Sequence, residues 1–167
     1  MGSQVMARQG GTGASRQLQL TGLLCASLIM LAMGGWLTSL GLGPWYDALK
    51  IPPWQPPGWV FTPIWIMVLT LLAIATWLAI PSQRISQPAL IVIYTKQFIL
   101  NIAWSLLFFA LQSPTAALVD IVALDLVVLT LNILYFRASA VAGLLITPYT
   151  IWLGFATAIN VWIVLNN

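Results

Sequence analysis

A chain of 167 residues that is 60% hydrophobic and 5% charged, with mean hydropathy +0.96, lies far from the roughly 25% charged residues of a soluble domain. No water-soluble fold of this length hides so much apolar surface, so composition predicts an all-α integral membrane protein with one domain. The net charge of +3 comes from scattered basic residues, which argues against nucleic acid as a partner and leaves membrane topology as their main role.

Residues 1–17 are rich in Gly, Ser and Gln, carry Arg8 and Arg16, and are expected to form a disordered tail. Within residues 18–167 five apolar segments follow, each near the ~20 residues that cross a bilayer. The first, residues 18–42, is too long for a cleaved signal segment and is expected to stay in the mature protein. The second covers residues 61–80 and stops at Pro81. The third covers residues 89–111 and stops at Ser113 and Pro114, the best place for a tight turn. The fourth covers residues 115–136 and the fifth residues 141–165. Backbone groups in lipid must be satisfied internally, so all five are predicted helices of a single bundle.

The loop between the first two segments is unlike a flexible linker. It holds Trp45, Tyr46, Trp54 and Trp59, and its second half holds Pro52, Pro53, Pro56 and Pro57. Proline fixes φ and keeps the preceding residue extended, so this loop is stiff. Tryptophan and tyrosine favour a place that is part apolar and part wet. An ordered aromatic loop at the mouth of a bundle suggests a lid over a site for a flat apolar ligand. Alternation of the segments places Arg8, Arg16, Arg84 and Arg137 on one side and Lys50 on the other, which predicts a cytoplasmic N-terminus. Lys96 sits inside the third segment, close enough to its start to snorkel.

Polar residues inside spans are costly and tend to face the bundle interior. Helical spacing puts Asn101, Trp104, Ser105 and Phe108 on one face of the third segment. Tyr149, Trp152, Ala156 and Asn160 share a face of the fifth, and Phe61, Trp65 and Val68 a face of the second. Core packing accounts for any one of these aromatics. Three aromatic faces, two of them with an amide, beneath an aromatic loop point further, to a ligand cavity. Asp120 and Asp125 in the fourth segment are candidates for interhelical hydrogen bonds or, with Asn160, for a proton relay.

The chain has no histidine, no glutamate and one cysteine, Cys25. That excludes a Ser-His-Asp arrangement, an imidazole or thiolate metal cage, an intramolecular disulfide and haem held by histidine. No metal site and no obligatory cofactor are expected. A tetrapyrrole held by stacking on Trp and Phe and by hydrogen bonds from Asn and Tyr remains compatible with this residue set.

The chain resembles the TspO/MBR family, the tryptophan-rich sensory or translocator proteins, also known as peripheral benzodiazepine receptor-like proteins. The resemblance covers about residues 35–166. It rests on Pro44 to Lys50, on Pro53, Trp54, Pro56 and Pro57, and on Pro63, Ile64 and Trp65. It continues through Asn101 to Ser105, Phe108, Phe109 and Asp120, and ends with Pro148 to Trp152, Phe155, Ala156 and Asn160. It implies a bundle of five transmembrane helices, often a homodimer, that binds porphyrin-type tetrapyrroles such as protoporphyrin IX or haem, isoquinoline-type drugs and, in animals, sterols. Carried over residue by residue, it implies ligand contacts at Tyr46, Pro56, Phe61, Trp65, Asn101, Trp104, Trp152 and Ala156. Trp65 and Trp152 match tryptophans implicated in light-dependent protoporphyrin breakdown, which would make them catalytic if the chain is an enzyme. The cholesterol motif of animal members, a tyrosine and then a basic residue on the fifth helix, is missing from residues 156–167. The expected function is porphyrin sensing, buffering or transport, with photo-oxidative degradation as the alternative and a vestigial pocket in a regulatory subunit as a third reading. The expected location is a bacterial inner membrane. The small-residue pairs Gly154/Ala158 and Ala75/Ala79 allow either self-association or close packing within one bundle.

Overall fold

The structure is a computed structural model that describes residues 2–167, with side chains from Gly13 onward. The described residues form six α-helices: α1 (Gly2–Gly41), α2 (Pro44–Asp47), α3 (Phe61–Ala79), α4 (Gln87–Ser105), α5 (Pro114–Ala138) and α6 (Ala140–Asn166). A 3-10 turn (Gly58–Val60) leads into α3, and a π-helical turn (Leu106–Ala110) continues α4. No strand occurs among the described residues. Among the described residues, five helical stretches are long and apolar enough to cross a membrane: Gly13–Gly41, Gly58–Ala79, Gln87–Ala110, Pro114–Ala138 and Ala140–Asn166. They match the five predicted segments, and α2 lies in the loop between the first two. The protein is an integral membrane protein with an all-α bundle.

Proline and glycine set the boundaries. Pro44, Pro88 and Pro114 stand in the first turns of α2, α4 and α5, where a missing N–H breaks no helical bond. Gly43 turns the chain out of α1 with φ 114°, a conformation that favours glycine. Gly41 lies against the backbone of Phe109, where any Cβ would overlap it, so α1 and the π turn meet backbone to backbone. Between α5 and α6 the chain reverses at Ser139, whose extended φ of −164° cannot continue a helix.

The helix α1 runs into the expected tail. Residues 13–17 are part of α1, and the side chains of residues 1–12, Arg8 among them, lie outside the described residues. Arg16 holds this turn down. Its guanidinium sits 4.3 Å from the Trp77 ring centroid, and Trp77 Nε1 donates to the Arg16 carbonyl at 2.9 Å. A cation over an indole face is attracted by the ring quadrupole, which explains why helix persists beyond the apolar segment.

Two side-chain clusters fill the bundle. The larger is mainly aliphatic and runs through Leu72, Leu90, Leu124, Val128, Leu131 and Ile146, with Tyr135 and Tyr149 fully buried. The smaller is aromatic and lies at the loop end, around Phe108, Phe109, Trp45, Tyr46, Trp104 and Phe155. Helix alternation places Arg16, Arg84 and Arg137 at the opposite end from Lys50. The two small-residue pairs part company. Ala75 and Ala79 are buried inside the bundle, whereas Gly154 and Ala158 face outward.

Candidate functional site

The three aromatic faces predicted from helical spacing converge beneath the loop. Trp65 from α3, Asn101 and Trp104 from α4, and Ala156 from α6 line one internal cavity, closed by Ile121, Leu124 and Leu153. Its volume is about 10 Å³, room for roughly one water molecule. Ligand pockets for drug-sized molecules measure roughly 300–1,000 Å³. The cavity is therefore closed in this structure.

Ring contacts close it. Trp65 meets Tyr149 edge-on at 6.1 Å, Phe61 meets Trp152 at 5.5 Å, and Trp152 stacks on Phe155 at 5.5 Å. Trp104 stacks on Phe108 at 5.2 Å and meets Phe109 edge-on at 5.9 Å. Offset and edge-on pairs of this kind add about 0.5–1.5 kcal/mol each beyond area burial. From above, Trp45 packs on Phe108 at 5.9 Å, Tyr46 on Phe109 at 5.8 Å and Trp54 on Phe155 at 5.6 Å. The loop is braced internally by Gln55 Nε2, which donates to Tyr46 Oη at 3.0 Å. Its other fastening is the Asn167 amide, whose Oδ1 accepts from the Lys50 N–H at 2.9 Å while Nδ2 donates to the Lys50 carbonyl at 3.1 Å.

A polar layer underlies the rings. Tyr149 Oη accepts from Gln97 Nε2 and Asn101 Nδ2, each at 2.9 Å. Trp104 Nε1 donates to Asn160 Oδ1 at 3.0 Å, and Asn160 Nδ2 donates to the Pro114 carbonyl at 2.9 Å. Buried amides are costly unless paired, and these pairings fix which helix faces meet. Trp152 Nε1 and Gln97 Oε1 are buried without a hydrogen-bond partner in the structure.

Several sequence expectations resolve differently. Tyr46, Pro56, Phe61 and Trp152 surround the cavity without lining it: Tyr46 and half-buried Pro56 belong to the loop above, and Phe61 and Trp152 pair beside it. Asp120 and Asp125 stand five positions apart on α5 and so point in different directions. Asp125 accepts from Thr157 Oγ1 at 2.7 Å, while Asp120 Oδ2 is buried without a partner. The structure joins neither to Asn160 by a direct hydrogen bond: Asn160 pairs with Trp104 and the Pro114 carbonyl. No cluster of metal-binding side chains occurs among the described residues. Spacing reasoning overlooked Gln97, although it lies one turn before Asn101 on the same face. It also overlooked Phe109 as a partner of Trp104. The π turn lets consecutive Phe108 and Phe109 both turn inward with ring centroids 4.8 Å apart, which α-helical periodicity does not anticipate.

Comparison with known families matches residues 22–165 to the TspO/MBR family. The chain belongs to this family. Among curated family relatives, the tryptophan-rich protein TspO of Archaeoglobus fulgidus is 36% identical, over 90% of this chain and 97% of its own length. The translocator protein of Homo sapiens is 31% identical over 65% of this chain and 67% of its own. The tryptophan-rich sensory protein of Cereibacter sphaeroides is 31% identical over 64% of this chain and 66% of its own. The family match spans every side chain that lines the cavity.

Proposed function

We propose that this family member binds a tetrapyrrole of the porphyrin type in the cavity under the Trp/Pro loop, in sensing, buffering or transport. One observation carries the reading: the Trp65 and Trp104 indoles and the Asn101 amide line one small cavity, and the Phe61, Trp152 and Phe108 rings pack around it. Aromatic walls suit a large planar ligand, and a few polar groups orient it. Names such as sensory protein and translocator protein among the relatives accord with it. Isoquinoline-type compounds and sterols would compete for the same walls. The basic end carrying Arg16, Arg84 and Arg137 would face the cytoplasm of a bacterial inner membrane.

The test is tryptophan-fluorescence quenching of the purified protein by protoporphyrin IX in the dark, repeated with Trp65→Phe and Trp152→Phe. Saturable quenching that either change weakens supports the site. Quenching that never saturates, or that ignores both changes, rejects it. Illuminating the saturated complex then separates binding from turnover: a covalent porphyrin product lost in both variants would favour the degradative reading.

A further inference from the structure

A second, larger cavity lies at the loop end of the bundle. It has a volume of about 220 Å³ and is lined by Trp45, Leu49, Pro114, Thr115, Ile163, Val164 and Asn167. The two cavities share helix faces. On α6, Leu153 and Ala156 line the inner one, and Ile163 and Val164, with Asn167 just past the helix end, line the outer one, with Asn160 between. On α5, Pro114 lines the outer one and Ile121 and Leu124 the inner one, with fully buried Ala117 between. Seven residues separate Pro114 from Ile121, about 10 Å along a helix.

The partition is formed by the Phe108 and Trp104 rings together with Asn160 and Ala117. Trp45, at the outer cavity, packs on Phe108, which stacks on Trp104, at the inner cavity. A polar bridge follows a parallel route: Trp104 Nε1 donates to Asn160, and Asn160 donates to the carbonyl of Pro114. Both routes run through Trp104, and Asn160 is what holds its indole in place.

The geometry points to a gated antechamber: the outer cavity admits the ligand, and Trp104, latched by Asn160, is the gate to the inner site. This rests on the proposed binding site under the loop. With the inner cavity closed, a ligand reaches it only if something moves. Moving Trp104 breaks one hydrogen bond to Asn160, slides one ring off Phe108 and gives up an edge contact with Phe109. On this account Asn160 is a positioning residue that sets the rate of access rather than the final affinity.

The test reads the gate without any ligand. Ala156→Cys, in a Cys25→Ser background in lipid nanodiscs, is labelled by a small cationic methanethiosulfonate. Asn160→Leu frees the indole and is expected to speed labelling about tenfold, the size of effect that loss of one hydrogen bond has on an opening equilibrium. Val164→Trp fills the outer cavity, leaves the latch intact and is expected to slow labelling. It keeps the test decisive if Asn160→Leu fails to fold. Labelling that neither change alters overturns the gate, and labelling indifferent to Val164→Trp overturns this route in favour of one through the loop itself. Stopped-flow quenching by protoporphyrin IX runs alongside. Association and dissociation rates that rise together in Asn160→Leu, at unchanged Kd, support the gate. If labelling responds but protoporphyrin never binds, the gate stands and the porphyrin reading falls. If protoporphyrin binds but labelling is indifferent, the reverse holds.

Discussion

The two ends of this bundle are held by different chemistry. At the basic end, branched aliphatic side chains interlock, Thr76 and Tyr135 hydroxyls meet at 2.7 Å, and Arg16 clasps Trp77. At the loop end, flat rings lean on one another, and few hydrogen bonds cross between the loop and the helices. Interlocked branched chains cannot part without leaving voids, whereas flat rings can slide while keeping most of their contact. On the proposed reading, the contrast lets one bundle combine a rigid frame with a site that opens.

Breaking the frame should produce the largest effect. Leu131→Ala empties a fully buried position of the aliphatic cluster. Because an unfolded span remains in lipid, the loss is mainly packing, so destabilisation of about 2 kcal/mol is expected, at the low end of large-to-small core substitutions. Unfolding in detergent should start at lower temperature or denaturant, with protoporphyrin Kd unchanged for the folded fraction. An equally large shift in Kd would show that the two ends are not separable.

Overfilling the joint between the two regions comes next. Gly41→Ala forces a methyl into the Phe109 backbone, which is a rigid neighbour. A cost of about 1–3 kcal/mol is expected, as for overpacked cores. The same unfolding assay reads it, and near-ordering of the Phe108 and Phe109 signals in 19F spectra of fluorophenylalanine-labelled protein should be disturbed. A neutral result would mean that α1 and the π turn are farther apart in the membrane.

Removing the phenol under the site is a smaller change. Tyr149→Phe leaves the Gln97 and Asn101 amides without their shared acceptor while keeping the ring against Trp65. Hydrogen bonds inside membranes average only ~0.6 kcal/mol each, so about 1 kcal/mol of stability should be lost. Porphyrin affinity should fall as the Asn101 amide loses its anchor, and an unaltered Kd would detach Asn101 from binding. The smallest effect belongs to Asn167→Ala. Two of the three hydrogen bonds it removes are exposed and the third only joins Nδ2 to the Ile163 carbonyl one turn back, so global stability should change by less than about 0.5 kcal/mol. Amide exchange at Lys50 should nevertheless quicken, since local opening of the loop no longer has to break the Asn167 bridge.

Read along the chain, much of this was visible beforehand. The five spans, the stiff loop and the faces bearing Trp65, Asn101, Trp104 and Ala156 follow from apolar length, proline placement and a 3.6-residue period, all of them local properties of the backbone. The structure brings those four side chains to one cavity. Only the tertiary structure decided that Tyr46, Pro56, Phe61 and Trp152 would surround the cavity instead of lining it. It also decided that Trp104 would pair with Asn160, that Phe109 would turn inward, that Ala75 and Ala79 would be buried while Gly154 and Ala158 would not, and that Asn167 would reach Lys50 across 117 positions. The physical reason is the solvent. In lipid every apolar face is equally comfortable, so hydropathy marks which segments enter the membrane but not how they pair. Pairing is left to shape and to the few buried amides and hydroxyls that must find partners, and those partners sit on helices distant in sequence.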